Sequence, residues 1–208
     1  MVLKHLPETA QEIFLDKASS SNAFATGLGY GLGYTWQYIG PAMRKKATEL
    51  AGSNSEFARG LGVGLGCHLD YLKPVYLDEV LSIADTNSEL DRGFGTGASW
   101  AWSYYSDDAR KIAVERMDTK SEFSRGFGFG LARVVKQFSA TEKEKLLGRL
   151  ASDPFFSEGF GEGTGNYAWS VYGKQDRSEF LNKAAGSAER LCSQSSSSTP
   201  STWRPSCR

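Results

Sequence analysis

Alternating glycines impose the strongest constraint on this chain. The stretch Phe57-Ala58-Arg59-Gly60-Leu61-Gly62-Val63-Gly64-Leu65-Gly66 has equivalents that start at Phe24, Leu90, Phe123 and Phe156. The step between starts is 33 residues each time. Each copy carries glycine at the third, fifth and seventh positions after its start: Gly27, Gly29, Gly31; Gly93, Gly95, Gly97; Gly126, Gly128, Gly130; Gly159, Gly161, Gly163. A fixed period of this length marks a repeat architecture.

On an α-helix, Gly60 and Gly64 fall on one flank, and Gly62 and Gly66 on the opposite flank. Between them Phe57, Leu61, Leu65, Leu69 and Leu72 form one apolar stripe. Arg59, Val63, Cys67 and Asp70 face the other way. This layout suits a helix packed on both flanks against its siblings, with the apolar stripe turned to a second helix of its repeat. Each interior glycine costs about 1 kcal/mol against alanine, so only close packing between siblings offsets the composition.

A β-strand also alternates with period two. It would treat positions four, six and eight after the start alike. Position four is always apolar (Leu28, Leu61, Phe94, Phe127, Phe160), whereas position six is mixed (Tyr30, Val63, Thr96, Phe129, Glu162). That difference is helical behaviour. Ser55-Glu56 and Ser121-Glu122 also read as helix starts, with serine as the cap and glutamate in the first turn.

The expected fold is all-α: a right-handed α-solenoid of five two-helix repeats with Gly-rich first helices. The repeats are placed at 21–53, 54–86, 87–119, 120–152 and 153–185, after a partial repeat at 1–20. Breaks at Gly40-Pro41, Lys73-Pro74, Ser106-Asp107 and Ser139-Ala140-Thr141 separate first from second helices. The second helices carry apolar residues at helical spacing, such as Met43, Ala47, Leu50 and Ala51, or Leu77, Val80, Leu81 and Ala84. A tail at 186–208, including Gln194-Ser195-Ser196-Ser197-Ser198, has too little apolar surface to fold and is expected to be disordered.

Charge is balanced, with 24 Lys+Arg against 24 Asp+Glu, so no net field recruits nucleic acid or anionic lipid. The uncharged stretch 18–43 is crowded with Gly, Ser, Thr, Asn and Gln, and no membrane span is expected. Three cysteines without paired spacing favour a reducing, cytoplasmic setting.

The glycines do not fit a dinucleotide fingerprint or a P-loop. His68 beside Cys67 has no second ligand cluster, so no metal is expected. Neither a cofactor nor a catalytic cluster is visible, and the chain reads as a non-enzyme. Glu56–Arg59, Glu89–Arg92 and Glu122–Arg125 repeat at i, i+3 and read first as ion pairs within one helix.

Outward positions vary most between repeats. Ten residues after the start stand Tyr34, Cys67, Trp100, Arg133 and Asn166. Thirteen after it stand Gln37, Asp70, Ser103, Lys136 and Trp169. Aromatic residues and arginine are the usual binding anchors. The candidate partner-binding residues are therefore Tyr30, Tyr34, Arg59, Arg92, Trp100, Arg125, Phe129, Arg133 and Trp169.

The two-helix period resembles the broad class of α-solenoids, such as tetratricopeptide-like repeats, over about residues 1–185. The tetratricopeptide consensus and the ankyrin Thr-Pro-Leu-His are both absent, and no site residues carry over. The expected function is a non-catalytic scaffold that holds a protein or peptide along the variable face of the first helices. The alternative is a structural protein that self-assembles end to end through uncapped repeats.

Overall fold

The computed structural model describes residues 8–168 and the isolated positions 173, 178 and 182. These residues form ten α-helices and no strand. In order they are α1 (Glu8–Lys17), α2 (Asn22–Tyr34), α3 (Pro41–Ser53), α4 (Ser55–Cys67), α5 (Pro74–Thr86), α6 (Ser88–Ala101), α7 (Asp107–Thr119), α8 (Ser121–Val134), α9 (Ala140–Gly148) and α10 (Pro154–Gly163). The glycine-rich stretches are helical, as their uneven alternation requires. The second helix expected near 175–185 and the tail at 186–208 lie outside the described residues.

The even-numbered helices carry the glycines and pack neighbour to neighbour, from α2 through α4, α6 and α8 to α10. Their backbones touch. A Cβ built on Gly62 would overlap the Leu90 carbonyl and stand 2.7 Å from Phe94 N. Gly66 meets Phe94 and Ala98 of α6 in the same way. On the other flank Gly60 meets Thr26, and Gly64 meets Tyr30 and Tyr34 of α2. In place of Cβ, each of these glycines therefore directs a Cα–H at a neighbour's carbonyl. Such contacts contribute roughly 0.5–1 kcal/mol each, which offsets much of the helix-propensity cost. None of the described glycines has positive φ, so close approach, not backbone freedom, is why glycine is needed here.

Two of these positions carry small side chains instead of glycine. Ser99 and Ala132 stand where α2 and α4 have Gly33 and Gly66. The Ser99 hydroxyl fills the space facing Gly130, and the Ala132 methyl faces Gly163.

The apolar stripe lies inside: Phe57, Leu61, Leu65, Phe94, Phe123 and Phe127 are fully buried. The second-helix residues Ala47, Val80, Ala113 and Leu147 join that core. A short 3-10 turn ends each of the first four glycine-rich helices, and its first residue, Trp36, Leu69, Trp102 or Val135, is buried. These turns were not foreseen. They carry Gln37, Asp70, Ser103 and Lys136 off the helices, so those positions do not continue the helical face.

The helix caps correct another expectation. Ser55 and Ser121 are the first helical residues, not caps. The cap of α4 is Asn54, whose side chain accepts from Phe57 N at 3.0 Å; Asn87 does the same for Leu90 N at 3.0 Å. A cap oxygen must reach the N–H two or three positions on, and the amide has a donor to spare. Asn87 Nδ2 donates to Ala51 O at 2.9 Å, and Asn54 Nδ2 to Ala18 O at 3.4 Å. Ser21 and Asp153 cap α2 and α10.

Lys120 supplies no side-chain cap to α8. The Phe123 N–H instead faces the buried carboxylate of Asp91 on α6 and favours its charged form. Arg116 of α7 holds the same carboxylate, with Nη2 at 2.7 Å and Nε at 2.8 Å. Its other Nη is 3.1 Å from Asp85, and its guanidinium lies over the Phe94 and Phe123 rings. One buried ion pair thus ties α6, α7 and α8 together.

Candidate functional site

With glycines on two flanks and the apolar stripe inward, each glycine-rich helix has one side left. Positions two, six and ten after the repeat start project from it. On four helices these side chains converge with Thr26 of α2 on a cleft of about 340 Å³. Its walls are Arg59 and Val63 of α4, Arg92, Thr96 and Trp100 of α6, Phe129 and Arg133 of α8, and Glu162 of α10; Glu56 stands at the rim.

The face is concave. Arg92 Nη2 on α6 donates to Glu162 of α10, reaching across α8. The negative charge of Glu162 is also felt at Arg59 on α4. Side chains from helices two and three steps apart therefore meet above the row.

Five of the nine candidate residues, Arg59, Arg92, Trp100, Phe129 and Arg133, come together in this cleft. Arg133 covers the Trp100 ring at 5.4 Å. Tyr30 and Tyr34 lie to the side in an aromatic file. Their rings are 6.2 Å apart, Tyr34 is 4.3 Å from His68, and His68 is 5.0 Å from Tyr71. Arg125 is outside the cleft, held by Glu122 at 2.6 Å and Glu158 at 2.9 Å and lying over Phe155. Trp169 lies outside the described residues.

The arginine row is mostly a structural device, but not as three equal pairs. Arg59 takes Glu56 at 3.3 Å on its own helix and Glu89 at 2.7 Å on the next. Arg125 likewise bridges within α8 and on to α10. Arg59 captures Glu89, and Arg92 turns into the cleft toward Glu162. Burial pulls the Arg59 pKa down, and Glu89, Glu56 and Glu162 more than restore it.

Thr96 and Glu162 were legible as variable positions but lacked the aromatic or guanidinium signature used to select candidates. Glu162 betrayed itself only as a charge where the other four repeats have uncharged residues.

Burial pushes the Cys67 thiol up to about 11, against a contact with Tyr30 that lowers it. The thiol is therefore neutral near pH 7 and is no ready nucleophile. Burial pulls the His68 imidazole below its usual value, in keeping with its place between two tyrosine rings. Among the described residues no group of three His, Cys, Asp or Glu is placed to hold a metal. No helix among them is long and apolar enough to cross a membrane. Compared with known proteins, the chain matches no family model, no curated protein and no solved structure.

Proposed function

We propose that this protein is a non-catalytic binding module that holds a protein or peptide partner in the concave cleft of its glycine-rich helices. In this reading the two-helix units form a right-handed α-solenoid of five repeats, working in the reducing cytoplasm. One observation carries the proposal: four helices turn their variable side chains onto a single cleft, with Trp100 and Phe129 half-buried in its walls. Concave clefts with aromatic walls and a few placed polar groups are where ligands bind, and aromatic and arginine anchors dominate binding energy.

Phe129→Ala is expected to weaken partner capture by at least about tenfold while shifting the melting temperature little. Tyr104 is 78% exposed outside the cleft, so Tyr104→Ala should leave capture intact. Parallel pull-downs with thermal melts check this. Loss of capture in both variants, or unfolding of Phe129→Ala, removes the cleft as the binding surface.

A second reading, end-to-end self-assembly, has its own observation. Among the described residues, nothing stands within 4 Å of a Cβ built on Gly27, Gly161 or Gly165. Their counterparts in the inner repeats meet a neighbour's backbone. Gly27 of α2 matches Gly60, which α4 presents to α2, and Gly161 and Gly165 match Gly62 and Gly66, which α4 presents to α6. The occupant that fits both is a second copy, joined head to tail by the contact already used inside the chain. Light scattering across a dilution series should then show mass growing with concentration, abolished by Gly27→Leu. A constant monomer mass rejects this reading.

A further inference from the structure

The geometry points to a carboxylate subsite at Arg92, filled in the free protein by Glu162 and opened when a carboxylate of the bound peptide takes its place. The inference rests on the cleft being the binding surface and adds what that surface selects: an acidic group beside an aromatic or bulky aliphatic side chain.

The argument starts from the unequal arginines. Arg59 and Arg125 are each clamped by one glutamate on their own helix and one on the next. Arg92 has lost its own-helix glutamate to Arg59. Its ion pair comes instead from α10, two glycine-rich helices away, through a side chain that is itself 42% exposed. A guanidinium on the wall of a cleft needs an anion, and its planar fork matches a carboxylate from any source.

The two partners differ in freedom. Arg92 is rooted in α6, whose backbone is wedged between α4 and α8. Glu162 sits near the end of α10, in open contact with water. When a ligand carboxylate arrives, Glu162 can swing into solvent while Arg92 stays. The apolar walls, Trp100, Phe129 and Val63, lie in the same cleft and take the neighbouring hydrophobic side chain. Glu162 therefore acts as an internal competitor that lowers the apparent affinity by the fraction of time it occupies the site.

The test uses the full chain and 3-phenylpropionate, which joins a phenyl ring to a carboxylate, with 3-phenylpropanamide as the uncharged twin. Titration is followed by NMR at the Trp100 indole N–H, assigned by its loss in Trp100→Phe. The acid should bind about tenfold more tightly than the amide. Glu162→Gln should tighten the acid by a further factor of about ten without affecting the amide. Arg92→Gln should erase the difference between acid and amide. Equal affinities for acid and amide in both the wild type and Glu162→Gln overturn the subsite, as does weaker acid binding in Glu162→Gln.

Random heptapeptides selected on the same proteins separate this inference from the reading beneath it. Enriched peptides that are lost on Phe129→Ala, yet lack acidic residues and ignore Glu162→Gln, leave the module standing and remove the subsite. Preference for the acid with no peptide enriched leaves the subsite standing and removes the peptide reading. Acidic residues beside aromatic or branched ones, with tighter binding to Glu162→Gln, support both.

Discussion

Gly62→Ala should lower stability by about 3 kcal/mol, at the upper end of overpacking costs, while Gly27→Ala should raise it by about 0.5–1 kcal/mol. The same one-carbon change carries opposite signs because of what each position faces. At Gly62 the new methyl would overlap the Leu90 carbonyl and press on Phe94 N and Gly93 C at 2.7 and 3.0 Å. All three are backbone atoms of α6, so no side chain can rotate away. Relief requires α4 and α6 to separate, which also breaks the matching contact at Gly66. At Gly27 nothing stands within 4 Å, so alanine keeps only its propensity advantage. Urea denaturation of both variants measures the two signs. Destabilisation of equal size at both sites would mean that the helices are not joined through bare backbone.

The second large effect sits in the buried ion pair. Arg116→Met should cost about 3 kcal/mol at pH 8 and much less at pH 4.5. Burial pushes the Asp91 carboxyl up, to about 6, against the pull of Arg116 and the Phe123 N–H. The unfolded carboxyl titrates near 3.9, so the folded state binds this proton more tightly. Its contribution to stability is fully present below about pH 4 and is lost as the pH rises through 6. Removing the guanidinium takes away the main group favouring the charge, so the folded value moves higher still and the loss at alkaline pH deepens. Asp91→Asn in the Arg116→Met background should flatten the pH dependence between these two values, because the carboxyl left at the site, Asp85, lies below its usual value and stays charged at both. Denaturation midpoints at the two pH values, for the single and double variants, test this. A penalty for Arg116→Met that is independent of pH would mean that Asp91 carries no charge in the native protein.

The helical class was legible because position four after each start is always apolar while position six is mixed, and the two glycine flanks followed once the stretch was placed on a helix. The outward side was legible by subtraction, and it contained Arg92, Trp100 and Phe129. What could not be read was which variable positions meet. Contacts between helices that are not neighbours decide that, and no local spacing shows them. The Arg92–Glu162 bridge joins residues two repeats apart, beyond any local spacing rule. The cap expected at Ser55 was displaced by one residue because Asn54 does two jobs, of which sequence shows only the first, and the one expected at Ser121 has no side-chain cap in its place. Asp91 stands where the other repeats have Ala25, Ala58, Ser124 and Ser157. Its oddity was visible, but its partners on α7 and α8 were not.

Helices that meet through side chains can adjust by exchanging rotamers. Helices that meet through main chain have no such cushion. The wall behind the cleft is therefore a preorganised mould, whose shape is set before anything enters it. If the cleft holds the proposed partner, little ordering entropy remains to be lost on association, and selectivity would be left to the few side chains that project from the wall. On the function proposed above, guests of the wrong outline would be refused rather than accommodated.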